Sequence, residues 1–530
     1  MKPFDASGAF RPIEDGGGVR RLAVQGAGAT VFSSAVSTGI QIVATVVLAR
    51  LLLPIDFGVV TMATTFSLLV VNFGLNGFTE AILQWEEMDH ALASNLFWIN
   101  TGGGMVLTAG FAAAGSWMAH FYGNPLVKPV AVGVALTILL TSLSVVHLAL
   151  LKRAMRFAVT SANDIVAGVA SVAVSIVFAA LGWGYWALVA GLIARPLFQT
   201  LGAWYLCRWM PGLPHSQRAT LPAVRFAMNI YGRFTVNYFS RNTDNLLVGW
   251  RFNATALGFY KKAYDLFALS AAQLVAPLSN VAVSALSRLG KDSAQYRRYL
   301  LSALGVVAFI GMGLGADLTL IGRDLIRLLL GPQWAPAGRI FTYFGPGVGM
   351  MLLYGTHGWI HLSIGRADRW LRWGIIEVVV TILLFIAGLP WGPEGIAVAW
   401  TASFWILTLP ALWYAGKPIG FGVGAMVAVV WRYVAASFLA GGVTVMILRE
   451  VPALAVASSS AAAFLGVVAI SLLFAALYLG AVILLHGGCA PIYQLVSLTR
   501  EMVPWEKFSK RPAPAVGAAC GNGTTEVVAP

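Results

Sequence analysis

Charge is what this sequence lacks most. Of its 530 residues only 11% are Asp, Glu, Lys or Arg, less than half the share of about 25% usual in soluble domains. That deficit, with 58% hydrophobic residues, excludes an ordinary soluble domain and places the chain among polytopic membrane proteins. Cysteine is scarce too. Cys207, Cys489 and Cys520 show neither pairing nor metal spacing, so neither a disulfide framework nor a zinc site is implied. Long polar loops are missing, and no connection is large enough to fold as a separate catalytic domain. The net charge of +14 does not point to nucleic acid, because the basic residues are scattered between apolar runs rather than gathered in one patch. Residues 1–25 mix Lys2, Arg11, Arg20 and Arg21 with Asp5, Glu14 and Asp15, which is not the form of a cleavable signal peptide.

What the chain does have is a succession of apolar runs. They fall at 26–50, 57–84, 91–119, 126–150, 160–182, 184–207, 226–250, 256–286, 299–322, 337–362, 373–390, 395–415, 424–448 and 459–486. Each meets the requirement of about 20 residues for a membrane-spanning helix. The expected fold is therefore an all-α polytopic membrane protein with about fourteen transmembrane helices. With the N-terminus inside, Lys and Arg on the cytoplasmic side outnumber those outside by more than two to one. That bias puts both termini in the cytoplasm. Residues 1–25 form a cytoplasmic segment, 208–225 a cytoplasmic linker, and 487–530 a small, polar, Pro-rich tail with the composition of a disordered segment.

An internal repeat is visible. Arg50-Leu-Leu-Leu-Pro-Ile-Asp-Phe-Gly58 parallels Arg251-Phe-Asn-Ala-Thr-Ala-Leu-Gly258, Arg153-Ala-Met-Arg156-Phe157 parallels Arg366-Ala-Asp-Arg369-Trp370, and Gly184-Tyr-Trp-Ala-Leu-Val parallels Gly395-Ile-Ala-Val-Ala-Trp. Three matches in one order at nearly one shift indicate two parallel six-helix bundles, 26–207 and 226–415, with two extra C-terminal helices at 416–486. Sites in such folds lie between the halves.

The seventh span is unusual. Asn229, Arg233, Asn237, Arg241 and Asp244 are spaced 4, 4, 4 and 3 apart and occupy about a third of the helix circumference. An Arg or Asp near the bilayer centre costs roughly 2.5–3.5 kcal/mol on insertion scales, so this face must meet water or a partner. Arg241 and Asp244 are close enough on the helix to pair locally, which would leave Arg233 the freer charge. The first span carries an uncharged counterpart in Thr30, Ser34, Ser37, Gln41 and Thr45. The second carries Thr61, Thr65, Asn72, Asn76 and Glu80. The eighth opens with Tyr260 and Tyr264 on one face. Such faces can line a cavity, although Ser and Thr stripes serve equally as helix-packing surfaces. Arg50 and Arg251 fit charged residues reaching to the interface, and Glu80 fits a solvated helix end.

Other signals are poorer. His357 and His361 are four apart, but no third metal ligand is evident. Gly311, Gly313, Gly315, Gly345, Gly347 and Gly349 fit close packing or kinks. Gly16-Gly-Gly18 and Gly102-Gly-Gly104 follow no strand and are not phosphate loops. Asn253-Ala-Thr255 matches a glycosylation sequon, a pattern that is often fortuitous. No Ser/His/Asp set follows from spacing.

Ala49-Arg-Leu-Leu-Leu-Pro-Ile-Asp-Phe-Gly58 resembles the helix 1–2 signature of bacterial polysaccharide transporters, within the superfamily that also holds the lipid II flippase and the multidrug and toxin extruders. Asp244-Asn-Leu-Leu-Val-Gly249, Leu257-Gly-Phe-Tyr260, Ala263-Tyr264 and Leu286-Ser-Arg288 are similar to that family's helix 7–8 segment. The resemblance implies two bundles around a central cavity lined by helices 1, 2, 7 and 8, working by alternating access in the bacterial inner membrane. It implies a non-enzymatic flippase for an undecaprenyl-diphosphate-linked oligosaccharide, with no cofactor and no metal, among membrane lipids. A polysaccharide polymerase and a chain-length regulator are the partner proteins it suggests. Arg233 and Arg241 would meet the diphosphate, since guanidinium pairs with phosphate oxygens bidentately. Asn229, Asn237, Gln41, Ser37, Asn72 and Asn76 would bond sugar hydroxyls, and Tyr260 and Tyr264 would stack on sugar faces. Asp244 and Glu80 could carry protons, although membrane potential acting on the anionic headgroup would also suffice. The alternative is a cation-coupled multidrug-type exporter of small amphiphiles, which would need an acidic, apolar cavity. A membrane polymerase would need a large outside loop.

Overall fold

The computed structural model describes residues 3–5, 7–10, 18–72, 77–85, 87–289, 293–451, 460–491 and 493. Among them there are sixteen α-helices and two isolated β-bridges. In order the helices are α1 (Gly18–Leu51), α2 (Pro54–Asn72), α3 (Thr79–Gln84), α4 (His90–Phe121), α5 (Val127–Arg153), α6 (Phe157–Ala180), α7 (Tyr185–Cys207) and α8 (Thr220–Arg251). They continue with α9 (Ala254–Leu289), α10 (Ser293–Leu330), α11 (Ala335–Phe344), α12 (Gly347–Ser363), α13 (Ala367–Gly388), α14 (Gly392–Gly416), α15 (Val423–Glu450) and α16 (Ser460–His486). Nine stretches of described helix are long and apolar enough to cross a membrane, one of them holding both α13 and α14. The chain is a multi-pass helical membrane protein.

Several predicted boundaries move. Within the span expected over 57–84 the described residues form α2 and, after π-type turns at Gly77 and Phe78, α3. Gly77 sits against α8, where a Cβ would come within 2.7 Å of the Ala227 carbonyl oxygen. The span expected over 337–362 breaks between α11 and α12 at Gly345-Pro346, because proline has no N–H with which to continue a helix. Residues 220–225 are helical rather than linker. Pro222 falls in the first turn of α8, where its missing N–H is not needed.

The packing in the two halves runs in parallel. α1 packs on α6, α6 on α7, α5 on both α4 and α7, and α2 on α5. In the same way α8 packs on α13, α13 on α14, α12 on both α10 and α14, and α9 on α12. α15 and α16 pack on each other and on the outside of α10. Turn geometry adjusts the second repeat match. Met155 (φ 56°) and Gly365 (φ 68°) are the left-handed residues that end α5 and α12, and the following Arg156 and Arg366 cap α6 and α13. Arg156 therefore corresponds to Arg366, not to Arg369.

The connection between α7 and α8 is held to the first half. Ser94 Oγ accepts from Gly212 N–H (2.9 Å), Asn95 bonds His215 through both its amide N and O, and Trp98 Nε1 donates to the Gly212 carbonyl (2.8 Å). Gln217 donates to Asp89 Oδ2 (2.7 Å). Asn95→Ala would strip three bonds from this buried corner, two to His215 and one to the Thr220 hydroxyl, and is expected to lower stability by about 1–3 kcal/mol, read by thermal melting of the purified protein in detergent.

Candidate functional site

The halves meet most closely where α2 crosses α9. The contact is made of equivalent residues. A Cβ on Gly58 would lie 1.7 Å from the Ala254 carbonyl oxygen, and a Cβ on Gly258 would lie 1.9 Å from the Pro54 carbonyl oxygen. Each glycine thus faces the first residue of the other helix. Only residues without a side chain allow backbones this close. Both helices are capped just before the crossing. Asp56 Oδ2 accepts from Leu53 N–H (2.9 Å), and Asn253 Oδ1 accepts from Ala256 N–H (2.8 Å).

Side chains seal this end. Trp334 is fully buried against Phe57 and Phe259, with ring centroids 5.4 and 5.9 Å apart, and its Nε1 donates to the Ala49 carbonyl (2.8 Å). Gln333 donates to the same carbonyl. Arg50 does not simply reach into solvent: its guanidinium donates to the Leu328 and Leu329 carbonyls at 2.7 and 3.2 Å, tying α1 to the end of α10.

Below the seal the expected site residues separate. Asp244 and Tyr260 are buried against one another. The Tyr260 hydroxyl donates to Asp244 Oδ2 (2.8 Å), and Asp244 Oδ1 accepts from Asn245 N–H (2.8 Å). Tyr260 is 0% exposed and its ring packs on Phe344. This corrects the expectation that Tyr260 stacks on a sugar, since no face of it is free. It also corrects Asp244 as a residue open to the cavity. Tyr264 is half-buried in an aromatic cluster with Phe267, Phe344 and Trp400. On α1, Thr30, Ser34 and Gln41 are exposed, and Ser37 and Thr45 are half-buried. Thr30 returns its hydroxyl to the Gly26 carbonyl (2.8 Å). Thr61 and Thr65 of α2 are buried and bond to their own helix, which makes them a packing surface. Asn229 is exposed on α8. The side chains of Arg233, Asn237, Arg241 and Asn72, and the whole of Asn76, lie outside the described residues. The α8 backbone is helical throughout, so the 4, 4, 4, 3 spacing of the stripe holds as one face.

A charged group at the head of α9 escaped the sequence reading. Lys261 Nζ pairs with Asp265 Oδ1 at 2.6 Å. Lys262 is buried, its Nζ 4.3 Å from the Phe57 ring centroid. The signal was available, as three charges at i, i+1 and i+4 inside a predicted span. Among the described residues no cluster of three or more His, Cys, Asp or Glu could hold a metal ion.

The sequence profile of a family described as polysaccharide biosynthesis protein matches residues 47–339, more than half of the chain. The chain belongs to that family. The matched region runs from the end of α1 through the α2–α9 crossing, the α8 stripe and Trp334. The chain is 22% identical over 321 residues to the lipopolysaccharide biosynthesis protein WzxC of Escherichia coli (strain K12), covering 60% of this chain and 65% of that one. It is 22% identical over 356 residues to the succinoglycan biosynthesis transport protein ExoT of Rhizobium meliloti (strain 1021), covering 67% of this chain and 72% of that one. The fold is that of the lipid II flippase MurJ in an inward closed conformation, with a TM-score of 0.67 at 13% identity over 87% of this chain and 100% of the other. It also resembles an inward-facing multidrug resistance MATE transporter, with a TM-score of 0.55 at 12% identity over 73% of this chain and 94% of the other. This member of the polysaccharide biosynthesis family therefore has the helical architecture shared by those transporters.

Tyr260→Phe tests the hydrogen-bonding role, since it keeps the ring and removes the hydroxyl that reaches Asp244. The buried Asp244 carboxyl loses a donor, and a stability loss of about 1–3 kcal/mol is expected by thermal melting. An unchanged melting temperature would contradict the hydrogen-bonding role.

Proposed function

We propose that this protein is a flippase. It moves an oligosaccharide repeat unit, carried on undecaprenyl diphosphate, from the inner to the outer leaflet of the bacterial inner membrane. The observation that carries the reading is a basic, amide-rich face on α8 within a chain of the polysaccharide biosynthesis family. Two arginines one above the other suit a diphosphate. The names of WzxC and ExoT point to the same process.

In this reading the two halves, 26–207 and 226–415, rock about the α2–α9 seam. The seam end, sealed by Trp334 and Phe57, faces outward, and both termini lie in the cytoplasm. The lipid tail stays in the bilayer while the headgroup enters between the halves. Arg233 and Arg241 meet the diphosphate. Asn229, Asn237, Asn72 and Asn76 meet sugar hydroxyls, as do Gln41 and Ser37 of α1. No bond is made or broken, so no nucleophile or general base is required. Polysaccharide polymerase and chain-length regulator act downstream on the product.

Arg241→Ala is expected to cut flipping about tenfold or more, and Arg241→Lys to restore part of it, because an ammonium keeps the charge and loses the bidentate geometry. The measurement is the fraction of lipid-linked repeat units reaching the outer leaflet in cells that hold correctly inserted protein. Wild-type export by the alanine variant would remove the diphosphate role.

A further inference from the structure

At the end of the second half away from the α2–α9 seam, α12, α13 and α14 enclose a polar cluster that the transport reading does not use. His361 is 0% exposed and His357 is 4% exposed. Their rings stand edge to face with centroids 5.9 Å apart. His357 Nδ1 lies against the Tyr354 carbonyl, which fixes its proton there and leaves Nε2 a bare acceptor. That Nε2, both ring nitrogens of His361, and Arg369 Nε are buried without a hydrogen-bond partner. Leaving one buried polar atom unpaired costs roughly 1–3 kcal/mol, so four in one place call for a ligand between them. Water, with two to four partners, is the smallest that fits.

The first half carries a histidine at the equivalent position that is held to protein through Nε2, with its Nδ1 also lacking a hydrogen-bond partner. Aligned on Met155 and Gly365, His147 of α5 corresponds to His357. His147 is stacked on Trp204 at 4.4 Å, and its Nε2 lies 3.2 Å from the Trp209 carbonyl of the connecting segment. That segment closes over His147. Over His357 and His361 lie rings instead, Trp370 with its centroid 6.4 Å from that of His357 and Tyr414 6.0 Å from His361, and among the described residues neither bonds a ring nitrogen of the pair.

A metal ion is a poor occupant. The cluster holds two imidazoles and no carboxylate ligand, and the Arg369 guanidinium sits beside it, 4.1 Å from the Tyr414 ring and bonded to the Tyr414 carbonyl. The other ionisable groups around the pair are few. α12 itself supplies Tyr354, whose hydroxyl accepts from Trp373 Nε1. α13 supplies Arg369 and the exposed Asp368, with Glu377 one turn beyond Trp373. α14 supplies Tyr414. From α10, Tyr296 is bonded to Ser363. Among the described residues, α9 and α11 bring no charge to the pair.

We propose that His357 and His361, bridged by water, form a proton-binding site within the second half, loaded from the cytoplasmic side, and that this proton is the ion coupled to transport. The site rests on the transporter reading for its purpose but not for its chemistry. A proton shared between two rings through water satisfies the bare Nε2 and gives the neighbouring ring a fixed tautomer. Loading would add charge among α12, α13 and α14, the helices that carry the second half as a body. His357 and His361 hold the coupled proton in this scheme and do not touch the lipid-linked substrate.

Two measurements test it. Protein carrying 15N-labelled histidine is titrated from pH 8 to pH 5, with the ring signals assigned by His357→Gln and His361→Gln. At least one of the pair should change protonation while the fold persists, and the change should vanish in the double variant. A pair that stays neutral until the protein unfolds would overturn the site. In sealed vesicles, a pH gradient should drive wild-type flipping, and the double variant should lose at least tenfold of that stimulation while flipping under a membrane potential stays within twofold. Full pH-gradient stimulation in the double variant would overturn the coupling role. If the double variant does not fold, the single variants and the wild-type titration still decide. Absence of flipping under every drive in wild-type protein would instead count against the flippase reading, and the titration would stand apart from it.

Discussion

Gly58→Val should abolish flipping, by about a hundredfold or more, in protein that is still made and inserted. The expectation rests on backbone geometry. The first added carbon at this position would sit 1.7 Å from a carbonyl oxygen of α9, and a backbone atom cannot swing aside as a side-chain tip can. The seam must therefore open by an ångström or more, and the sealed end cannot close. An outward-open arrangement, in which the helices part, has no such clash. The substitution therefore acts on one state of the cycle rather than on the fold. Gly258→Val should behave in the same way, since it meets the Pro54 carbonyl at 1.9 Å. Gly28→Val is the control, because a Cβ there meets nothing within 4 Å. Export of lipid-linked repeat units in cells, with membrane levels measured alongside, separates the outcomes. Normal export by Gly58→Val would mean that closure of this seam is not part of the cycle.

Trp334→Ala is the second large effect. This ring fills the space between Phe57 and Phe259, and its Nε1 holds the Ala49 carbonyl at the end of α1. Truncating a buried Trp to Ala costs about 3–5 kcal/mol, including the cavity left behind. Trp334→Phe should recover most of the packing and lose only the bond, roughly 0.5–1.5 kcal/mol, because Gln333 still serves that carbonyl. The order wild type, Phe, Ala should appear both in melting temperature and in export. Equal melting of all three would show that this end is not held by the aromatic seal.

Much of the architecture was legible because lipid leaves so little choice of backbone. Every predicted apolar run contains a helix, and one of them breaks at Gly345-Pro346, where proline lacks the N–H to continue the helical bonding. The string from Arg50 to Gly58 and its echo from Arg251 to Gly258 marked the right place, but as a repeat and not as a contact. A glycine in sequence does not say which backbone it admits, so the crossing was invisible until α2 and α9 were set side by side. Tyr260 illustrates the opposite error. A Tyr on a cavity helix suits sugar stacking, yet Asp244 lies sixteen residues earlier on the adjoining helix, and the hairpin between them brings the two groups together. Lys261, Lys262 and Asp265 could have been found from charge inside a span. The contact of Trp209 with His147 could not, because it depends on how a connecting segment lies over α5.

The most direct test of the account is reconstitution. Purified protein is placed in sealed vesicles with a fluorescent oligosaccharide on undecaprenyl diphosphate, and exposure of the headgroup to a membrane-impermeant reagent is followed in time. Exposure is expected to depend on the protein and to be lost in both Arg241→Ala and Gly58→Val. Exposure no faster than in protein-free vesicles, with folded protein present, would contradict it.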